Sequence, residues 1–379
     1  MPRARRPANA ALALAALLTL LVACRTPGGG GGGHGPLVRL NEVQVLASHN
    51  SYHVEPEPTL LDALKAFLGP GAEGFEYTHR PLATQLDAGV RQIELDVFVD
   101  DPAGGRYAQP KLVAQLGLEP VAPAMSTPGL KVLHVQEVDY RSTCPTLVDC
   151  LTQVRAWSDA HPRHLPVTIQ IEAKDGTIAD PGLGFVTPLP WTAAGFGTLE
   201  SEIGAVFDPD RVLTPAEVRG RHATLVEAVR AGRWPTLDRA RGQVMFVLDD
   251  KGAKRDAYRS QVPDLADRSV FVDVPETDPD AAMMVVNDPI GSGDRIRDLV
   301  EAGFIVRTRA DGDTVQARTG DTSQRDAALA SGAHYVSTDY VWPDDRFGTG
   351  YVVDLPGDTA ARCNPVNAPR RCERADLRG

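Results

Sequence analysis

The chain has 379 residues, with 50 acidic against 39 basic side chains and a formal net charge of −11. That balance argues against nucleic acid as a partner, because phosphate backbones call for a basic footprint, and against broad attraction to an anionic membrane. The length allows one large α/β domain or two small ones, and no fixed-period repeat or internal linker divides the body.

Residues 1–23 read as a secretory leader: Arg3, Arg5 and Arg6 precede an apolar run from Ala10 to Ala23 that is short for a membrane span. Leu21-Val22-Ala23-Cys24 matches the box at which bacterial lipoproteins are cleaved and acylated on the new N-terminal cysteine. Removing the leader, which holds those three arginines and no acid, takes the net charge from −11 to −14. Residues 24–36 then form a tether around the glycine run Gly28 to Gly33, which cannot pack a core. The expectation is an exported, membrane-anchored lipoprotein whose body, 37–379, is soluble and monomeric.

The body alternates short apolar runs with amphipathic stretches, the pattern of parallel strands covered by helices. Strands are expected at Val43 to Tyr52, Arg91 to Val97, Lys131 to Val135, Val167 to Lys174 and Gln243 to Leu248. The sixth is Val270 to Val274 or Met283 to Asn287, the seventh Phe304 to Arg309 and the eighth His334 to Thr338. Helices are expected at Thr146 to Ala160, Leu199 to Val206, Arg221 to Ala231, Asp294 to Ala302 and Ser323 to Ser331, the last two stopping at a following glycine. These elements predict a distorted (β/α)8 TIM-type barrel in a single catalytic domain. The long Pro-, Gly- and Ala-rich connection from Asp100 to Pro128 would sit on its rim as surface decoration or part of a lid. With Cys24 set aside, four cysteines remain, an even number in an exported chain. Cys144–Cys150 and Cys363–Cys372 are the simplest of three possible disulfide pairings.

In such a barrel the strand C-termini share one rim, so residues far apart in sequence meet there. His49-Asn50 ends the first run, Glu94-x-Asp96 lies in the second, His134 ends the third, and Glu172-x-Lys174 ends the fourth. Carboxylates two apart on a strand face one side and would need a cation if buried. Asn50, Glu94, Asp96 and Glu172 offer only oxygen, which suits Ca²⁺ or Mg²⁺ rather than zinc. His49 and His134 can move protons beside that site, a combination suited to phosphodiester cleavage. Lys174 is a candidate phosphate contact, and Arg307 and Arg309 on the seventh strand could grip a headgroup.

Ser48-His49-Asn50-Ser51-Tyr52, Glu94-x-Asp96, His134 and Glu172, in that order, resemble the calcium-dependent phosphoinositide-specific phospholipases C, and a bacterial branch above all. Tyr77-Thr78-His79-Arg80-Pro81-Leu82 and Gln85 to Asp96 look like that branch's hallmark stretch. The resemblance is dense from about residue 41 to 175 and thinner to about 345. It implies the same barrel, selects Ca²⁺ over Mg²⁺, and implies attack by the inositol 2-hydroxyl. A carboxylate ligand or a histidine would remove the hydroxyl proton, and His49 would steady charge on the phosphoryl oxygens. His134 would protonate the departing diacylglycerol oxygen, with the roles of His49 and Glu94 left open between them. Lys251 lies where eukaryotic relatives carry headgroup lysines. Asp249 stands where they are basic, which favours a plain phosphatidylinositol headgroup.

Two rivals remain. A glycerophosphodiester phosphodiesterase shares the Glu-x-Asp pair and the Glu172-Ala173-Lys174 pattern, but typically opens with His-Arg-Gly where this chain has His49-Asn50-Ser51. A tethered headgroup-binding protein without catalysis would use Cys24 and the glycine run equally well. The intact set of histidines and oxygen ligands argues against it.

Overall fold

The computed structural model describes residues 38–118, 122–357, 359–370, 372, 373 and 377. The leader, Cys24 and the glycine tether lie outside the described residues. The described residues hold ten strands: β1 (Val43–Ser48), β2 (Val90–Phe98), β3 (Lys131–Val132), β4 (Val167–Lys174), β5 (Val244–Leu248), β6 (Val270–Val272), β7 (Met283–Val285), β8 (Ile305–Arg309), β9 (Tyr335–Thr338) and β10 (Ala361–Cys363). Eight of them run parallel in the order β6-β5-β4-β2-β1-β9-β8-β7. One parallel bridge, Asp273 to Met283, joins the two ends. The result is a nearly closed barrel with helices around it.

One expected barrel strand is not a barrel strand. The Lys131 to Val135 run yields only β3, two residues paired antiparallel to the end of β2 through Val97–Val132 and Phe98–Lys131. A parallel return needs a long crossover, usually a full helix. Among the described residues of the connection from Asp100, the helices are the five-residue Lys111–Gln115 and the 3-10 turn Pro123–Ser126, and the chain doubles back instead. The eighth place is filled because both alternatives for the sixth strand, β6 and β7, are strands.

That connection is also more than surface decoration. Tyr107, Val113 and Met125 from it pack with Leu60, Leu64, Phe98, Leu133 and Tyr140 in an apolar cluster separate from the main core. Buried Lys131 pins it, with Nζ 2.9 Å from Asp100 Oδ2 and 2.7 Å from the carbonyls of Thr127 and Gly129. Leu60 and Leu64 belong to the helix Pro58–Leu68, which the sequence analysis did not anticipate. Of the expected helices, Leu147–Ala160 is capped by the Thr146 side chain, and Ser323–Ser331 ends at Gly332, whose φ of +86° suits the glycine. The helix expected from Leu199 starts earlier, at Ala193, and that expected from Arg221 is confined to Leu225–Arg230. Disulfides join Cys144 to Cys150 and Cys363 to Cys372, the simplest pairing. No helix among the described residues is long and apolar enough to cross a membrane.

Register dictates what the barrel encloses. Glu94 pairs with Gln170 and Asp96 with Glu172 across β2 and β4, while Arg307 pairs with Tyr335 and Arg309 with Ser337 across β8 and β9. Paired residues share a face, and the Thr168 hydroxyl bonds Tyr335 Oη at 2.7 Å, so these polar residues fill the interior. Ile93, Leu95, Ile169 and Ile171 face the opposite way and are fully buried.

Two histidines outside this interior are locked neutral. His334 accepts from the Val306 amide at Nδ1 (3.1 Å) and donates from Nε2 to the Asn41 carbonyl (2.7 Å). His164 donates from Nδ1 to the Leu165 carbonyl and accepts from Ser158 at Nε2. Burial lowers both from 6.5 to about 4. The unfolded chain therefore takes up protons first as pH falls below about 6.5. The stability from these two groups, whole above that pH, should fade progressively between it and about 4. Each is expected to cost on the order of 1–2 kcal/mol by pH 5. Melting temperatures recorded from pH 7.5 to 4.5 should decline, and the His334→Gln variant should decline less steeply.

Candidate active site

The site starts where β1 ends. Its register with β2 shifts between Leu46 and Ala47, and Ser51 then clips the chain to Glu94. Ser51 N–H donates to the Glu94 carbonyl (3.0 Å), and Ser51 Oγ accepts from Glu94 N–H (2.8 Å). The irregularity forces Asn50 to φ +42°, a conformation asparagine tolerates better than most residues. It leaves Asn50 buried, with Nδ2 donating to Tyr77 Oη at 3.2 Å.

Glu94, Asp96 and Glu172 then converge. A ligand oxygen from each lies within 4.8 Å of the others, as the β2–β4 register requires. Burial and then Glu172 push the Asp96 carboxyl well above its ordinary value. Asp96 Oδ2 has Lys174 Nζ at 3.2 Å, while Asp96 Oδ1 and Asn50 Oδ1 are buried without a donor. Orphaned oxygens on a carboxylate and an amide, beside two more carboxylates, are what a hard cation would satisfy. Glu94, Asp96 and Glu172 therefore form an oxygen cluster that fits a hard cation such as calcium.

The basic residues are committed to these acids. Lys174 Nζ sits 3.1 Å from Glu172 Oε1 as well as near Asp96. Burial opposes its charge, but the two acids raise its pKa. Arg307, read from sequence as a headgroup ligand, is instead buried against Glu94, its Nη2 2.5 Å from Oε2 and 3.1 Å from Ser337 Oγ. Burial pushes the Glu94 carboxyl up, yet Arg307 and then His49 outweigh it and hold it low. Lys251 is placed elsewhere: mostly exposed, it pairs with Asp273 at 3.6 Å and lines a cavity of about 330 Å³ beside the β6–β7 seam. Asp249 accepts from Gln170 Nε2 at 2.8 Å, and burial raises it to about 8.

His49 belongs to a closed ring. Its Nδ1 donates to Asp339 Oδ1 (2.7 Å), Arg309 Nη2 donates to Asp339 Oδ2 (3.0 Å), and Arg309 Nη1 donates to His49 Nε2 (3.1 Å). These contacts assign the tautomer: Nδ1 carries the proton and Nε2 presents a lone pair. Burial and then Arg309 lower the His49 pKa. Burial pushes Asp339 up, but His49 and Arg309 hold it far below its ordinary value. His79, within the Tyr77 to Leu82 stretch, donates from Nε2 to the His49 carbonyl at 2.7 Å.

His134 has a carboxylate of its own, Asp139, whose Oδ2 lies 2.7 Å from Nδ1. Burial pushes Asp139 up, but His53 and His134 together bring it down to about 2. Asp339 and Asp139 were not singled out from the sequence. Asp339 had a signal, since it follows β9 as His49 follows β1; Asp139 had only the weak one of lying five residues after a histidine.

A family profile described as phosphoinositide phospholipase C, Ca²⁺-dependent, matches residues 38–365. A solved calcium-dependent phosphoinositol-specific phospholipase C from the Gram-negative bacterium Pseudomonas sp. is 17% identical. The alignment covers 86% of this chain and 95% of that one, with a TM-score of 0.52. A calcium-dependent phosphatidylinositol-specific phospholipase C from Streptomyces antibioticus is 20% identical, covering 80% of this chain and 95% of that one at a TM-score of 0.50. No curated protein matches the sequence.

Proposed function

Because this chain belongs to the calcium-dependent phosphoinositide phospholipase C family, enzymes that cleave phosphodiesters, we propose that it cuts phosphatidylinositol between phosphorus and the diacylglycerol oxygen. The observation that carries the reading is the cluster of carboxylates on Glu94, Asp96 and Glu172 together with two histidines, each oriented by a carboxylate. Calcium on those oxygens would offset phosphoryl charge and acidify the inositol 2-hydroxyl.

His49 is the better base of the two candidates. Its Nε2 holds a lone pair, whereas Glu94 is bound to Arg307 and held low. His49 Nε2 takes the 2-hydroxyl proton as that oxygen bonds phosphorus, and Asp339 stabilises the imidazolium that results. Arg309, released from Nε2, can turn to the phosphoryl oxygens. The bond from phosphorus to the glycerol oxygen breaks, and His134 Nε2 supplies the proton that oxygen needs. Inositol 1,2-cyclic phosphate and diacylglycerol leave; water attack with the two histidines exchanging roles opens the ring.

Exposed apolar side chains support a lipid substrate. Phe67 (80% exposed), Leu68, Ile290 and Val315 lie in the connections that follow β1, β7 and β8, the kind of segment that carries sites in a barrel of this type. The Phe67→Ser variant is expected to turn over vesicle lipid about tenfold more slowly while cutting a soluble inositol phosphodiester within about twofold of normal. Acylation at Cys24, with residues 25–36 as tether, would hold the enzyme at a membrane of the exporting cell, and we propose it on the Leu21 to Cys24 box alone.

The test offers phosphatidylinositol vesicles and glycerophosphoinositol in parallel, with calcium or chelator, and identifies products by phosphorus NMR. Chelator-sensitive cyclic phosphate from the lipid is the expected result. Turnover of the deacylated diester alone would transfer the reading to a glycerophosphodiester phosphodiesterase, and calcium binding without turnover of either would leave a headgroup-binding protein.

A further inference from the structure

The carboxylate beneath His134 has a second occupant. His53 is fully buried, and its Nε2 lies 2.9 and 2.8 Å from the two oxygens of Asp139. One carboxylate thus accepts from two imidazoles. An ionised Asp139 can only accept, so each histidine presents N–H to it: Nε2–H from His53 and Nδ1–H from His134. The proton on Nδ1 leaves His134 Nε2 as its second ionisable nitrogen. His53 cannot turn away, because its ring stacks on Tyr77 with centroids 4.1 Å apart and planes at 19°.

The backbone below is equally constrained. Asp139 N–H donates to the Val135 carbonyl, and the Asp139 carbonyl accepts from both His134 and Val135 N–H, closing a tight turn directly after His134. Closing it forces Glu137 to φ +73°, a conformation that costs a non-glycine residue free energy and persists only when its surroundings fix it. They do. Buried Glu137 accepts the Val186 amide on Oε1 (3.0 Å) and the Leu112 amide on Oε2 (3.2 Å). Leu112 lies on the helix within the connection after β2.

We propose that His53 and Asp139 are positioning residues for His134: His53 clamps Asp139, and Asp139 fixes the ring and charge of the histidine that protonates the leaving oxygen. Glu137 rivets the turn that carries both to the connection after β2. This rests on His134 being the general acid. His53, Asp139 and His134 could chelate a transition metal only by surrendering the hydrogen bonds that now join them.

A general acid matters in proportion to how poor the leaving group is, which separates positioning from mere structure. The full chain and its Asp139→Asn, His53→Ala, His53→Gln and His134→Ala variants would be assayed on two substrates at saturating calcium. One is phosphatidylinositol, whose alkoxide leaves badly; the other is an inositol nitrophenyl phosphodiester, whose phenoxide needs no proton. Calcium affinity and melting temperature would be measured for each. Asp139→Asn is expected to be on the order of a hundredfold slower on the lipid and within about threefold of normal on the nitrophenyl ester. His53→Ala should show the same selectivity at roughly tenfold, and His53→Gln, which restores an N–H donor, should recover much of it. Equal loss on both substrates, or none on either, would overturn the proposal. If His134→Ala itself lacks the selectivity, the general-acid assignment fails first and takes this inference with it.

Discussion

Asp339→Asn is expected to cost about 10³–10⁴ in kcat on phosphatidylinositol, more than its single changed atom suggests. Asp339 serves two donors at once, His49 Nδ1–H at 2.7 Å and Arg309 Nη2–H at 3.0 Å. An asparagine has one acceptor oxygen for the pair. The arginine, always charged, should take it and turn the amide NH₂ toward Nδ1. His49 must then carry its proton on Nε2, the atom that has to accept one from the 2-hydroxyl. The fold loses no volume and the calcium ligands are untouched, so calcium affinity should stay within about twofold and circular dichroism should be unchanged. Steady-state kinetics and calorimetric calcium titration check both halves. A variant retaining a tenth of normal turnover would remove His49 from the role of base.

Asp96→Asn is expected to reverse its rank against the native protein when calcium is added. Without calcium, the native chain buries a carboxylate with Lys174 at one oxygen and no donor at the other, facing Glu172 across the β2–β4 pair. Replacing it by an isosteric neutral amide removes that cost and should stabilise the barrel by about 1–2 kcal/mol. With saturating calcium the native protein gains binding free energy that the variant largely forgoes, because a ligand charge has gone. Melting curves in chelator and in calcium should therefore cross over, with lipid turnover abolished in the variant. If Asp96→Asn melts lower in chelator, the carboxylate is adequately paired with Lys174 and the calcium reading of this cluster weakens.

What could be read from the sequence followed the reach of each signal. Glu94, Asp96 and Glu172 were legible because a period of two puts alternate residues on one face, and the register then brings them together. His49 and Asn50 were legible as the end of an apolar run. His134 was expected at the end of a barrel strand, but the run before it is too briefly paired to be one, and the turn into Asp139 holds it instead. Arg307 and Lys174 show the opposite case. Their strands were found, but their engagement with Glu94, Asp96 and Glu172 depends on which strands face one another across the barrel, and no local pattern carries that. The helix Pro58–Leu68 escaped because its start sits among prolines and acids that resemble a loop.

The pairing of β1 has a consequence for the order of events during synthesis. β1 emerges early, but it lies between β2 and β9 and takes β10 along its opening residues, Val43 to Val45. Until Tyr335 to Thr338 have been made, one edge of β1 has no mate and the polar interior lies open to water. Pairings between residues so far apart in sequence form slowly and favour a chain released whole over one folding as it grows. The first strand made must wait for the last.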